Sequence, residues 1–165
     1  MKIAIRIVLL ALLVGLGFWL WTVLFPSPEK VVLKKISNLA ATATINSGDS
    51  SIARLGKVSN LISYFSPDAE ISYDVPGLGG RSLTGRDEIR ETAAGGFAAA
   101  TSLKVQFLDA TARVAADRQS ADVSCTARVS TGDSKDFGVQ EMRFQFKKID
   151  GDWLITKAET VKTLQ

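Results

Sequence analysis

Apolar residues run almost unbroken through the start of the chain and then fall into short periods. Residues 7–25 carry no charge. At 1.5 Å per residue such a stretch makes a helix of about 28 Å, close to the thickness of a bilayer core. Trp19 and Trp21 stand near its far end, where aromatic rings suit a membrane–water interface. Pro26 and Pro28 stop the helix. Lys2 and Arg6 precede it and favour an inside N-terminus, although Lys30, Lys34 and Lys35 on the other flank weaken the bias. A cleaved export signal is the rival reading, but Val23-Leu24-Phe25 followed by proline makes a poor cleavage site. A buried core helix would show a polar side, and this segment has none. The pattern predicts a cytoplasmic stub and uncleaved transmembrane anchor over residues 1–26, and one domain over residues 27–165. In a bacterial cell this is a single-pass inner-membrane protein with its domain on the periplasmic side.

Behind the anchor the period becomes helical. Ser27 and Pro28 are a capping hydroxyl and a first-turn proline. Val32, Ile36, Leu39 and Ala43 predict a helix to about Ile45, and Asn46-Ser47-Gly48-Asp49 breaks it. A second helix starts at Ser50 or Ser51, with Leu55, Val58, Leu61, Ile62 and Phe65 inward, and ends at Ser66-Pro67-Asp68. A short strand follows over Ala69 to Asp74, then a glycine-rich loop from Val75 to Gly80. Thr84-Gly85-Arg86-Asp87 reads as a capping box for a third helix with Ile89, Ala93 and Phe97 inward. Gly95-Gly96 either ends that helix or permits close packing.

After Thr101 the period is two. Leu103, Val105 and Phe107 alternate, and the phase then shifts to Ala110, Ala112 and Val114, which predicts a bulge. Ala121, Val123, Cys125, Ala127 and Val129 line the next strand; Met142, Phe144 and Phe146 line the one after. Asp150-Gly151 is a tight-turn signal, and the last strand runs from Trp153 to Val161. Helices followed by a run of strands predict an α+β domain: a curved antiparallel sheet wrapped around three helices, a cone.

Composition removes several kinds of chemistry. The net charge is +3, but without Lys2 and Arg6 only 18 basic residues face 17 acidic ones. No basic cluster with interleaved aromatics exists, so no nucleic-acid partner is expected. The sequence contains no histidine and a single cysteine. That leaves no usual metal ligand set, no Ser-His or Cys-His pair and no internal disulfide. Cys125 reads as a small core residue. No cofactor motif is present; the glycines of residues 77–80 lack the lysine and hydroxyl of a phosphate loop.

Several short segments resemble the nuclear transport factor 2-like superfamily, of which SnoaL-like and ketosteroid-isomerase-like cones are members. They are Ile45-Asn46-Ser47-Gly48-Asp49, Tyr64-Phe65-Ser66-Pro67-Asp68-Ala69-Glu70-Ile71, Leu83-Thr84-Gly85-Arg86-Asp87-Glu88-Ile89-Arg90 and Asp150-Gly151-Asp152-Trp153-Leu154-Ile155. The resemblance covers residues 28–162 and implies the cone fold, with dimerisation through the open sheet face. It implies little about activity, because the superfamily holds isomerases, dehydratases, cyclases and non-catalytic modules. Enzymes like ketosteroid isomerase carry a tyrosine on the first helix, where Ala41 stands here. They carry a general-base aspartate on the first strand, where Tyr73 stands, with Asp74 one residue on. Neighbours on a strand face opposite ways, so Asp74 points inward only if the strand is bulged.

Tyr73 and Asp74 are thus the weak catalytic candidates, and Tyr73, Cys125, Met142 and Phe144 the candidate pocket. Glu141 and Arg143 share one face of a strand, with Arg128 on a neighbour, and read as a solvated cross-strand set. A cone filled by Phe97, Phe144, Phe146 and Trp153 argues against catalysis. The expectation is a membrane-anchored, non-catalytic binding or accessory module of the cell envelope. Its partners are the bilayer and a membrane protein or a second copy, with a small apolar ligand as the further class. The alternative is a small-molecule isomerase, dehydratase or cyclase.

Overall fold

The computed structural model describes residues 14–16, 27–75, 79–132 and 137–161. The expected anchor, with Trp19 and Trp21, therefore lies almost wholly outside the described residues. Among those described, no helix is long and apolar enough to cross a membrane.

Helix α1 spans Pro28–Ala43 with Pro28 in its first turn. Ser27 caps it through its carbonyl, which accepts from Val31 N–H, and not through its hydroxyl. Val32, Ile36, Leu39 and Ala40 are its buried stripe. The helix stops two residues before Ile45, because Ile45 forms a β-bridge with Leu103. Helix α2 spans Ser51–Ile62; the Ser50 hydroxyl accepts from Ala53 N–H. Val58 and Ile62 are buried, but Leu55, expected inside, is 64% exposed. Helix α3 spans Gly85–Ala99. Its capping partner is Glu88, which accepts from Thr84 N–H at 2.7 Å, while Asp87 pairs with Arg90.

Six strands follow the order β2-β1-β6-β5-β4-β3. They are β1 Phe65–Val75, β2 Gly79–Thr84, β3 Leu103–Val114, β4 Ser120–Thr131, β5 Phe137–Ile149 and β6 Asp152–Thr160. Two expectations are corrected. The sheet is mixed and not wholly antiparallel, because the C-terminal strand β6 inserts between β5 and β1 and runs parallel to β1. The expected loop before α3 instead holds β2, an edge strand paired with β1 from Glu70↔Thr84 to Val75↔Gly79. Only Leu83 of β2 is buried, so the strand carries no alternation to read. Strand β1 also begins earlier than expected, at Phe65, and Pro67 sits in its register shift between Phe65 and Glu70.

The predicted bulge in β3 is present: the register shifts between Leu108 and Thr111, and Asp109 takes φ 52°. A second shift lies in β5–β6 at Gln145/Phe146. These irregularities bend the sheet around the helices. The concave side buries Val123, Cys125, Phe144, Phe146, Trp153 and Ile155 against α1 and α3. At one end lie the Asp150-Gly151 turn and the junction of Tyr64 O with Ile155 N–H. At the other lie the end of α1, the start of β3 and the end of β4. The 16 residues of α1 span about 24 Å, so the chain enters the domain far from that second end.

Gly95 and Gly96 neither end α3 nor serve packing. The helix continues to Ala99, and a Cβ at either position meets nothing within 4 Å. Gly95→Ala and Gly96→Ala should each stabilise the domain by about 0.5–1 kcal/mol in urea melts. A loss of stability in either would show that the glycines are needed.

Candidate functional site

The segments that carry the superfamily resemblance hold backbone in place. Asp49 folds back on its own turn: Oδ2 accepts from Asn46 N–H at 2.9 Å and pairs with Lys57 Nζ at 2.5 Å. Lys57 also donates to Thr44 O at 2.7 Å, past the end of α1. The Lys57 hydrogen bond, then the Asn46 amide, hold the Asp49 carboxyl below its ordinary value of 3.8. Arg54 extends the set. Its Nε donates to Asp49 O at 3.2 Å, and Nη1 donates to Phe97 O and Ala100 O, both at 2.8 Å. One guanidinium so joins the α1–α2 turn to the unsatisfied C-terminal carbonyls of α3.

The opposite end has an equivalent. Arg86, in the first turn of α3, directs Nε and Nη2 to Phe65 O. Gly85 beside it takes φ +83°, and a Cβ there would stand 3.6 Å from Pro67 O. Ser66 is fully buried, and its hydroxyl donates to Asp68 Oδ1 at 2.8 Å, which lowers the Asp68 pKa. Arg54 and Lys57 escaped the sequence reading. The available signal was two cations three residues apart, directly after an aspartate-bearing turn.

Tyr73 lies half-buried against the core, on the same side of β1 as Ala69 and Ile71. Asp74 follows it without a bulge, since the register from Glu70 to Val75 is regular. Its backbone N–H donates to Thr160 Oγ1 at 3.0 Å. The tyrosine and aspartate therefore sit on opposite faces of β1. Cys125 and Met142 are register partners on β4 and β5. They border a shallow cleft of about 250 Å³ shared with Asp109, Glu141 and Arg143. Burial pushes the Cys125 thiol up to about 11, so it stays protonated at neutral pH. Phe144 lies in the core, 5.3 Å edge-to-face from Phe107. Tyr73 is thus separated from Cys125 and Met142 by β6 and does not join them in one described cleft.

Phe97, Phe144, Phe146 and Trp153 are all buried in one cluster and fill the inner part of the cone. On the outer face Arg143 pairs with Glu159 at 3.7 Å, and Lys157 with the same carboxylate at 2.7 Å. Glu141 faces Thr126 across the register, and Arg128 faces Val139. The solvated cross-strand pairing expected of Arg143 is made with Glu159 on β6. Among the described residues no group of His, Cys, Asp or Glu has metal-binding geometry.

This cone, with its crossing C-terminal strand, defines a class of proteins. A profile of the SnoaL-like domain matches residues 55–159, and the chain belongs to that family. No curated protein matches its sequence. Solved structures share the fold at low identity. One is a nuclear transport factor 2-like protein of unknown function from Pseudomonas putida KT2440: 12% identity, 86% of this chain and 90% of that one, TM-score 0.66. Another, from Novosphingobium aromaticivorans, provisionally named a scytalone dehydratase, is 16% identical over 82% and 83% of the two chains, TM-score 0.59. A third belongs to the yeast complex of the deubiquitinase Ubp3 with its cofactor Bre5: 16% identity, 68% and 90% coverage, TM-score 0.53.

Two predictions test the backbone roles. Arg86→Ala should cost about 1.5–3 kcal/mol in urea denaturation, because Phe65 O loses a charged donor pair, and Arg86→Lys should recover part of it. A loss below 0.5 kcal/mol would refute the role. Asp49 has a depressed folded pKa, so its contribution is full above the unfolded value near 3.8 and is lost as pH falls through the folded value. Asp49→Asn should flatten the acid limb of the stability profile below about pH 4. An unchanged acid limb would contradict this.

Proposed function

We propose that the chain is a membrane-anchored, non-catalytic SnoaL-like module of the cell envelope, whose domain engages a protein partner. One observation carries the reading. The segments that carry the superfamily resemblance spend their polar side chains on the fold: Asp49 on the Asn46 amide and Lys57, and Arg86 on Phe65 O. Supporting it, Asp74 lies on the outer face of β1, and four aromatic side chains fill the cone's interior. The uncharged residues 7–25 supply the tether, with only Pro26 and Ser27 between them and α1. The relative in the Ubp3–Bre5 complex carries the same fold in a cofactor assembly. The partner is a membrane protein beside the anchor or a second copy of this chain.

The enzyme reading keeps one specific support. Tyr73 is half-buried on the inner face, and a relative bears a dehydratase name. On that reading Tyr73 and Asp74 serve a small-molecule isomerase, dehydratase or cyclase.

Affinity capture of the full chain from solubilised membranes distinguishes the two. The module reading predicts a stoichiometric protein partner, or a homodimer, retained by the Tyr73→Phe/Asp74→Asn double variant. It also predicts that a long flexible insertion after Phe25 weakens partner recovery at least several-fold. A monomer that copurifies only with a small metabolite, lost in the double variant, would overturn it.

A further inference from the structure

A cleft of about 400 Å³ opens between α2 and α3. Leu55, Val58, Ala94, Phe97 and Ala98 make its apolar wall. Ala94 and Ala98 are too small to close it. Leu55, part of that wall, is 64% exposed. One end is polar, formed by Asp49, Ser51 and Arg54.

The charge at that end has a sign. Lys57 neutralises Asp49 directly, so two cations stand against one carboxylate. Four of the five Arg54 N–H groups point at backbone carbonyls, the last at 3.4 Å to Thr101 O, and one on Nη2 is left over. The guanidinium is therefore locked in position with a donor in reserve. The first turn of α2 carries no acidic side chain to offset it. Cleft volume, apolar wall and a single cationic end are what a tail-and-head ligand needs.

We propose that this cleft binds an anionic amphiphile of the fatty-carboxylate class. The tail lies along Val58, Ala94 and Phe97, and the carboxylate meets Arg54. The site shares Val58 and Phe97 with the core but none of Tyr73, Cys125, Met142 and Phe144, and it does not require the module reading.

The test uses the full chain in lipid nanodiscs and a 12-carbon carboxylate bearing a terminal diazirine. After irradiation, fragment-ion sequencing locates the label. The expected sites lie within residues 51–58 and 94–98, and excess dodecanoate should suppress them. Leu55→Asp, at an exposed position, should reduce this labelling at least five-fold, as should Ala98→Phe, which narrows the cleft. A quaternary-ammonium probe with the same tail should label at less than one-fifth of the carboxylate level. Label confined to Tyr73 and Met142, or to residues 1–26, would overturn the proposal. So would equal labelling by the two head groups, or labelling unchanged in both variants.

Discussion

The guanidinium of Arg54 is the contact on which the ordering of the helical layer depends. Three helices end at or near one point: α1 at Ala43, α2 at Ser51 and α3 at Ala99. The terminal carbonyls of α1 and α3 and the turn between α1 and α2 have too few local partners. Arg54 donates to both sides of that point, to Asp49 O and to Phe97 and Ala100 O. Lys57 adds Thr44 O and the Asp49 carboxylate. At the far end Arg86 holds Phe65 O, where α2 gives way to β1. The domain has no disulfide, so these charged contacts and the apolar core hold the helices on the sheet.

That arrangement changes what the family signature means. Asn46 to Asp49 and Gly85-Arg86 are short, polar and glycine-bearing, as loops at active sites often are. Here their side chains close backbone circuits. A chain needs them to build the cone whether or not the cone does chemistry. The segments that carry the resemblance therefore serve the fold, and activity is argued from the interior. There the inner part holds Phe144, Phe146, Trp153 and Phe97, and Tyr73 stands at its edge.

Much of the fold was legible in the sequence because it rests on periodicity. Val32, Ile36 and Leu39, the alternation from Ala121 to Ala127, the β3 bulge and the Asp150-Gly151 turn each follow from spacing or backbone conformation. What escaped depends on pairing across the fold. Strand β2 is held by β1 and buries one side chain, so Gly79-Gly80-Arg81-Ser82 carries no signal of its own. The parallel β1–β6 contact joins residues about ninety apart. Leu55 has helical spacing yet faces the α2–α3 cleft, because Ala94 and Ala98 are too small to cover it. The candidate site divides in the same way. The opposite facing of Tyr73 and Asp74 followed from strand alternation, while the separation of Tyr73 from Cys125 and Met142 required the strand order.

Native-state hydrogen exchange of the Arg54→Ala variant, read by mass spectrometry, tests the central account most directly. If Arg54 joins the helix ends, residues 44–54 and 97–103 lose protection together, while residues 142–158 of the sheet keep theirs. Unchanged protection in both helical segments, or a uniform loss across the whole domain, would contradict it.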